Sequence, residues 1–323
     1  IIIYIMKNNS NNIYKLILIG GNRLNEDGPI TKIYNIARIN KIKTLLIVDN
    51  DHYNKLCKKQ KLKFLLEDFK INYQVWKDLN IKKIQKISNS NTIVLLLNCT
   101  WKVKADFILN FKNRIFNYHA ASLPELRGAA NITWKILMKD QNKFNINIHH
   151  VTENYDDGRI ILDSKFKLIS NSIKLPHDYL KIIQKKEIFI LRKFIKLIKS
   201  NQFPKGKSQD EKKSFYWPRL NSSKDAKINW TWSREDVILF IKAFSYPFDG
   251  AFSKLYNYKI TIYNGVIANE KLKFHPYQNG LIYRIDKKFI FIVCGSKAIK
   301  VKKEDMVLPR NIEKINLLGK RLC

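Results

Sequence analysis

An amide and an imidazole stand two residues apart, Asn117 and His119, at the end of an apolar run in F-N-Y-H-A-A-S-L-P-E-L-R-G, residues 116–128. Residues i and i+2 of a strand share a face, so the two side chains converge on one spot. In open α/β sheets, ligands gather where strands end. An uncharged donor beside a group that titrates near neutrality suits acyl transfer. The amide can stabilise a developing oxyanion while the imidazole moves protons. Asn-x-His alone is a weak signal, because Asn is abundant in this chain. The Leu-Pro and Arg-Gly pairs that follow directly make it specific.

Such a pair has to be delivered by a sheet. Apolar strands are expected over residues 14–21, 44–49, 73–76, 92–98 and 114–117, with helices over 30–38, 53–69 and 106–111. The run T-I-V-L-L-L-N at 92–98 is continuously apolar, as in a parallel strand covered on both faces. This alternation predicts an α/β fold with a doubly wound, mostly parallel, Rossmann-like sheet. Gly20 and Gly21 lack the G-x-G-x-x-G spacing, and no Lys-Ser/Thr follows, so neither a dinucleotide fingerprint nor a phosphate loop is present. They let the chain turn tightly at a strand end beside the substrate cleft. A further strand over 160–169 and an amphipathic basic helix over 178–200 follow, the charges of the helix forming a solvated face. The polar span 201–214 contains Pro and Gly and reads as a linker. Beyond it lie a helix over 234–244, N-capped by Ser233, and short strands over 259–263, 280–285, 289–293 and 298–301. These predict a small β-rich barrel. The expected division is a domain of residues 1–203 and a second of 204–323.

With 323 residues, 45% hydrophobic and 12% aromatic, the chain is globular and long enough for two cores. Cys57, Cys99, Cys294 and Cys323 are scattered without metal-ligand spacing, which predicts a reduced, intracellular, cytoplasmic chain with no zinc. No apolar run reaches the length of a membrane span. The opening I-I-I-Y-I is too short and lacks a preceding charge, so it is no secretory signal, and Met6, directly after it, is one candidate start. The net charge of +33 invites a polyanion partner. Yet Lys is spread through every segment, and Arg, which bidentate phosphate recognition favours, is scarce. Compositional drift is therefore preferred over a selected nucleic-acid surface.

The 116–128 stretch resembles the catalytic segment of the folate-dependent formyltransferases, in which Asn-x-His precedes Leu-Pro and Arg-Gly. The family's third group is an Asp in an Asp-x-Gly turn. Here I-H-H-V-T-E-N-Y-D-D-G-R-I-I, residues 148–161, supplies Asp156, Asp157 and Gly158, and alignment to the Gly favours Asp156 over its neighbour. The resemblance implies Asn117, His119 and Asp156 as the catalytic set and N10-formyltetrahydrofolate as formyl donor, without a metal. It implies that Leu123-Pro124 is cis, and that the pterin binds near Leu97, Thr100, Trp101 and Lys102, Trp101 being equally a core residue. Arg127 either contacts the folate or holds its own loop. The departures are Ala121, where the family often has Ser, and Asp157 in a slot more often small. Farther on, Y-W-P-R-L, I-N-W-T-W-S, A-F-x-x-P-F-x-G-A-F and G-L-I-Y-R-I-D resemble landmarks of the OB-like C-terminal domain of long members.

Two branches carry a C-terminal domain of this size, the methionyl-tRNA and the amino-sugar-nucleotide formyltransferases. The strand at 44–49 is followed by D-N-D-H-Y-N-K-L-C-K-K-Q, without the Gly- and Pro-containing basic loop of the tRNA enzymes. T-W-K-V at 100–103 and N-I-T-W ending at Trp134 resemble the sugar branch. The expected acceptor is therefore the amine of a nucleotide-linked amino sugar, with Gly20, Gly21, Arg23 and Trp134 bordering it and a homodimer as the assembly. A methionyl-tRNA enzyme is the alternative. An inert, nucleic-acid-binding relative and a hydrolase releasing formate are further readings.

Overall fold

The computed structural model describes residues 13–21, 28–58, 66, 69–139, 143–167, 175–310 and 315–323. Its contacts divide the chain into two compact units. The first contains residues 1–127, 144–166 and 183–216, and the second 128–143, 167–182 and 217–323.

The first unit is built on a seven-stranded sheet. Its strands are β1 (Leu16–Gly20), β2 (Thr44–Asp49), β3 (Tyr73–Trp76), β4 (Ile93–Leu97), β5 (Ile115–His119), β6 (Lys143–His150) and β7 (Ile160–Lys167), in spatial order β3-β2-β1-β4-β5-β6-β7. Strands β1 to β5 are mutually parallel, and β6 runs antiparallel to β5. The expected doubly wound, mostly parallel sheet is thus observed. Every residue of β1, β2 and β4 is buried, as parallel strands covered on both faces require. Helices Pro29–Ile39, Ile81–Gln85 and Ala105–Phe111 join successive strands. Of the helix expected over 53–69, Asn50–Lys58 is observed and most of the remainder lies outside the described residues. Chain order reverses across the β1/β4 boundary, the switch point at which such sheets open a crevice.

Alternation along β5 sends Asn117 and His119 to one face and Tyr118 to the other. Tyr118 is anchored on that far face, where its hydroxyl donates to Glu187 Oε2 at 2.6 Å. Glu187 is fully buried on the long helix Pro176–Ser200, and Lys32 Nζ holds its other oxygen at 3.0 Å. Removing one member of a buried pair leaves an uncompensated charge, at a cost of about 3–5 kcal/mol. Glu187→Ala is therefore expected to lower the free energy of urea unfolding by that amount. A loss below about 1 kcal/mol would contradict the pairing.

The second unit contains the helices Asn131–Leu137 and Arg234–Ala243, the latter capped by Ser233, which accepts from Asp236 N. Its strands form two antiparallel sheets. One consists of β8 (Ala251–Leu255), β9 (Tyr258–Ile262) and β14 (Met306–Val307). The other has the order β10 (Val266–Ile267), β13 (Lys297–Lys302), β12 (Phe289–Cys294), β11 (Ile282–Ile285). The chain end is tied in by Leu322 N to Gly280 O at 2.9 Å and Cys323 N to Lys254 O at 2.9 Å. No described helix is long and apolar enough to cross a membrane.

Candidate active site

Register assembles the site. In the β5/β6 pair Asn117 lies opposite His149, and His119 opposite Asn147. The turn after β6 returns Asp156 to the same face. Asn117 Nδ2 donates to Asp156 Oδ1 at 2.9 Å and lies 3.3 Å from His149 Nε2. His149 Nδ1 donates to His150 O at 2.8 Å, so in the neutral ring Nε2 is the acceptor. Both amide hydrogens of Asn117 are therefore engaged within the cluster. His119 Nε2 lies 2.7 Å from Leu126 O. A carbonyl can only accept, so Nε2 carries the hydrogen and Nδ1 is the working nitrogen. That nitrogen faces Asp156 Oδ2 at 3.6 Å. His119 and His149 are almost wholly buried, and their rings meet edge to face with centroids 6.2 Å apart.

Asp156 has φ +54°, in the left-handed region that costs a non-Gly residue of order 1–3 kcal/mol and persists only where its surroundings over-determine it. Gly158 lies so close to β6 that a Cβ there would sit 1.9 Å from His150 O, which explains the glycine. Asp157 turns away to cap its own loop, accepting from Thr152 Oγ1 and from Asn154 Nδ2 at 2.8 Å. The geometry thus separates the two adjacent carboxylates, and Asp156 is the one that meets Asn117 and His119. Burial, with help from His149 and Arg159, pushes the His150 imidazole below its ordinary range, and its ring packs on Phe116 at 4.8 Å.

Arg127 forks onto Glu211, with Nη2–Oε1 at 2.6 Å and Nη1–Oε2 at 2.9 Å. Its Nε and Nη2 also reach Gln209 Oε1 at 3.1 and 3.0 Å. The hydrogen bonds to Glu211 raise the Arg127 pKa and hold the Glu211 carboxyl below the usual carboxylate range. In this state Arg127 holds protein groups, the second of the two roles expected for it.

Gly20, Leu97 and Tyr118 form one row across β1, β4 and β5. Gly20 has φ +154°, and a Cβ there would lie 2.0 Å from Leu97 O, so the two strand ends pass in close contact at the switch point. A Cβ on Gly21 would meet His52 and Val48 at 2.9 Å, and Arg23 lies outside the described residues. Thr100 and Lys102 are exposed in the loop after β4. Trp101 packs against the core of the first unit, the structural alternative for that residue. Leu123-Pro124 is cis. Trp134 belongs to the second unit, where its ring lies 5.0 Å from Trp217 and Nε1 donates to Pro218 O at 3.0 Å.

One residue of the site is absent from the sequence-based expectation. His149 sits at i+2 from Asn147 in F-N-I-N-I-H, the same strand spacing that singles out Asn117 and His119. Asn98, directly after Leu97 and within the stretch 97–102 expected near the pterin, has φ +55° and a buried Nδ2 with no partner among the described residues. Among the described residues no group of three or more His, Cys, Asp or Glu is placed to hold a metal ion.

Two family models match the chain, "Formyl transferase" over residues 46–188 and "Formyl transferase, C-terminal domain" over residues 221–306. The bifunctional polymyxin resistance protein ArnA of Wigglesworthia glossinidia brevipalpis is 26% identical over 255 residues, 75% of this chain and 36% of that protein. A methionyl-tRNA formyltransferase of Coxiella burnetii is 29% identical over 214 residues, 66% of this chain and 62% of that enzyme. The match therefore spans less than two thirds of either relative. Among solved structures, WlaRD, a sugar 3N-formyl transferase crystallised with dTDP and 5-N-formyl-THF, superposes with a TM-score of 0.62 at 20% identity. The superposition covers 90% of this chain and 98% of that one.

Proposed function

Since the chain belongs to the formyltransferase family, joining that family's N- and C-terminal domains, we propose that it moves a formyl group from N10-formyltetrahydrofolate to the primary amine of a nucleotide-linked amino sugar. The observation that carries formyl transfer is the convergence of Asn117, His119 and Asp156 on one face at the end of β5. A folate at the β1/β4 switch point would find a donor in the buried Nδ2 of Asn98, which has no partner among the described residues. In this reading residues 1–203 are the catalytic domain and 204–323 an OB-like domain. The enzyme works as a cytoplasmic homodimer.

The neutral amine attacks the formyl carbon, a C–N bond forms and the carbonyl pair moves onto oxygen. Asn117 donates to that oxygen, redirecting the hydrogen of its longer, 3.3 Å contact with His149. Asp156 accepts the proton that the attacking amine sheds and passes it to His119 Nδ1, which it faces at 3.6 Å. His119, its ring fixed through Leu126 O, delivers that proton to the folate nitrogen as the pair on oxygen re-forms the carbonyl and the bond from the formyl carbon to that nitrogen breaks, its electrons staying on nitrogen. The carbonyl is activated by hydrogen bonds alone in this scheme.

The amino-sugar acceptor is supported by T-W-K-V, by N-I-T-W and by the absence of a Gly- and Pro-containing loop after β2. A second reading, methionyl-tRNA as acceptor, is favoured by a methionyl-tRNA formyltransferase that is 29% identical over 66% of this chain. Formylation of a dTDP-amino-sugar panel and of charged initiator tRNA, assayed in parallel, separates the two. Turnover on tRNA alone would overturn the sugar reading, and formate release without acceptor would overturn both.

A further inference from the structure

The backbone of the Asp156 turn is held by a side chain from the polar segment 201–214. Gln209 spends both hydrogens of its amide on this turn, one on Asp156 O at 2.7 Å and one on Gly158 O at 2.8 Å. Its oxygen accepts from Arg127, and Arg127 is in turn held by the carboxylate of Glu211. Three side chains therefore act in series, from the polar segment 201–214 to the backbone of a residue with φ +54°. We propose that Gln209, braced by Arg127 and Glu211, is a positioning residue for formyl transfer, fixing the 156–158 turn so that the Asp156 carboxylate is aimed at Asn117 and His119.

The chemistry of the chain of bonds explains each residue type. Two adjacent carbonyls need two donors, and the opposite end of the same group must accept from a guanidinium. A neutral carboxamide meets both demands at once, whereas a carboxylate has no hydrogens and an ammonium no acceptor. Arg127 is almost wholly buried, and its planar fork keeps direction as well as charge. Glu211 is exposed, and its hydrogen bonds with Arg127 hold its carboxyl below the usual carboxylate range. The brace therefore persists wherever an amine can react. Arg159 secures the neighbouring chain independently, with Nη2 to Gly206 O at 2.7 Å and Nε to Lys205 O at 3.0 Å. Gln209 grips the turn that carries Asp156 by both Asp156 O and Gly158 O.

The proposal rests on the formyl-transfer reading, so its test has one kinetic and one acceptor-independent arm, both on the full chain. Misplacement by about 1 Å can cost on the order of a hundredfold in rate. Gln209→Ala is expected to lower kcat roughly ten- to a hundredfold while KM for folate and acceptor stays within about twofold. Gln209→Glu should be worse, because its oxygens face two carbonyls. Adding Glu211→Ala to Gln209→Ala should cost little more, since members of one series are not additive. In the second arm, the side-chain amide resonance of Asn117 reports its bond to Asp156 and should move in Gln209→Ala. Glu211→Ala truncates an exposed residue and should move it in the same direction, which keeps the test open if Gln209→Ala fails to fold. An unmoved Asn117 resonance, an unchanged kcat or a loss confined to KM would each overturn the proposal. Wild-type protein inactive on every acceptor would sink the functional reading instead, and the resonance would still decide the positioning role.

Discussion

His119→Asn is expected to lower formyl-transfer turnover by about 10²–10⁴-fold, the range over which a positioned proton carrier acts. Nε2 of this ring donates to Leu126 O, and Nδ1 faces Asp156 Oδ2 across 3.6 Å. Asparagine is polar and smaller than the ring it replaces, but it offers no site that gains and loses a proton near neutrality. The lost bond to Leu126 O costs about 1 kcal/mol of stability. That shifts the melting temperature slightly and cannot account for a thousandfold effect on rate. Steady-state kcat at saturating donor and acceptor, measured beside the melting temperature, checks the expectation. A variant within tenfold of wild type would remove His119 from the proton path.

The site was legible in the sequence where its logic is local. Asn117 and His119 are two apart on a strand, and period 2 alone puts them on one face. The parallel sheet was equally readable, because continuous apolar runs such as residues 93–97 suit only strands buried on both sides. What depended on pairing was hidden. His149 joins Asn117 through the β5/β6 register, and register is a property of two segments. F-N-I-N-I-H alternates, but it runs directly into the Asp-x-Gly turn, and β6 is not among the expected strands. The helix Asn131–Leu137 was missed as well. It opens on Ala130 with φ +56°, without the Ser, Thr, Asp or Asn cap that marks a helix start. The choice between Asp156 and Asp157 turned on bonds from Thr152 and Asn154. For Arg127, no spacing rule connects it to Glu211, 84 residues away. In the second unit the four expected strands lie within one or two residues of those observed, as apolar alternation and glycine turns allow, whereas Ala251–Leu255, Val266–Ile267 and Met306–Val307 are not among the expected strands.

Asn117→Ala is expected to cost about 10²–10³-fold in kcat, or 2.7–4 kcal/mol, the usual consequence of deleting one oxyanion donor. KM should change little, because this hydrogen bond strengthens as charge builds on the formyl oxygen and contributes less to the bound ground state. Asn117→Asp gives a sharper contrast. It keeps the size of the side chain but places a second carboxylate where Asn117 Nδ2 now sits, 2.9 Å from Asp156 Oδ1. Two carboxylates at that distance cannot both ionise, so one holds a proton. The charge that remains repels the developing oxyanion, and the shared proton weakens Asp156 as the base for the amine. Asn117→Asp should therefore be slower than Asn117→Ala near neutral pH, although it is the more conservative change in shape. The reverse order, or an Asn117→Ala enzyme retaining more than a tenth of wild-type kcat, would show that charge on the formyl oxygen is stabilised elsewhere. Donors on the loop after β4, Asn98 foremost, would then be the groups to replace.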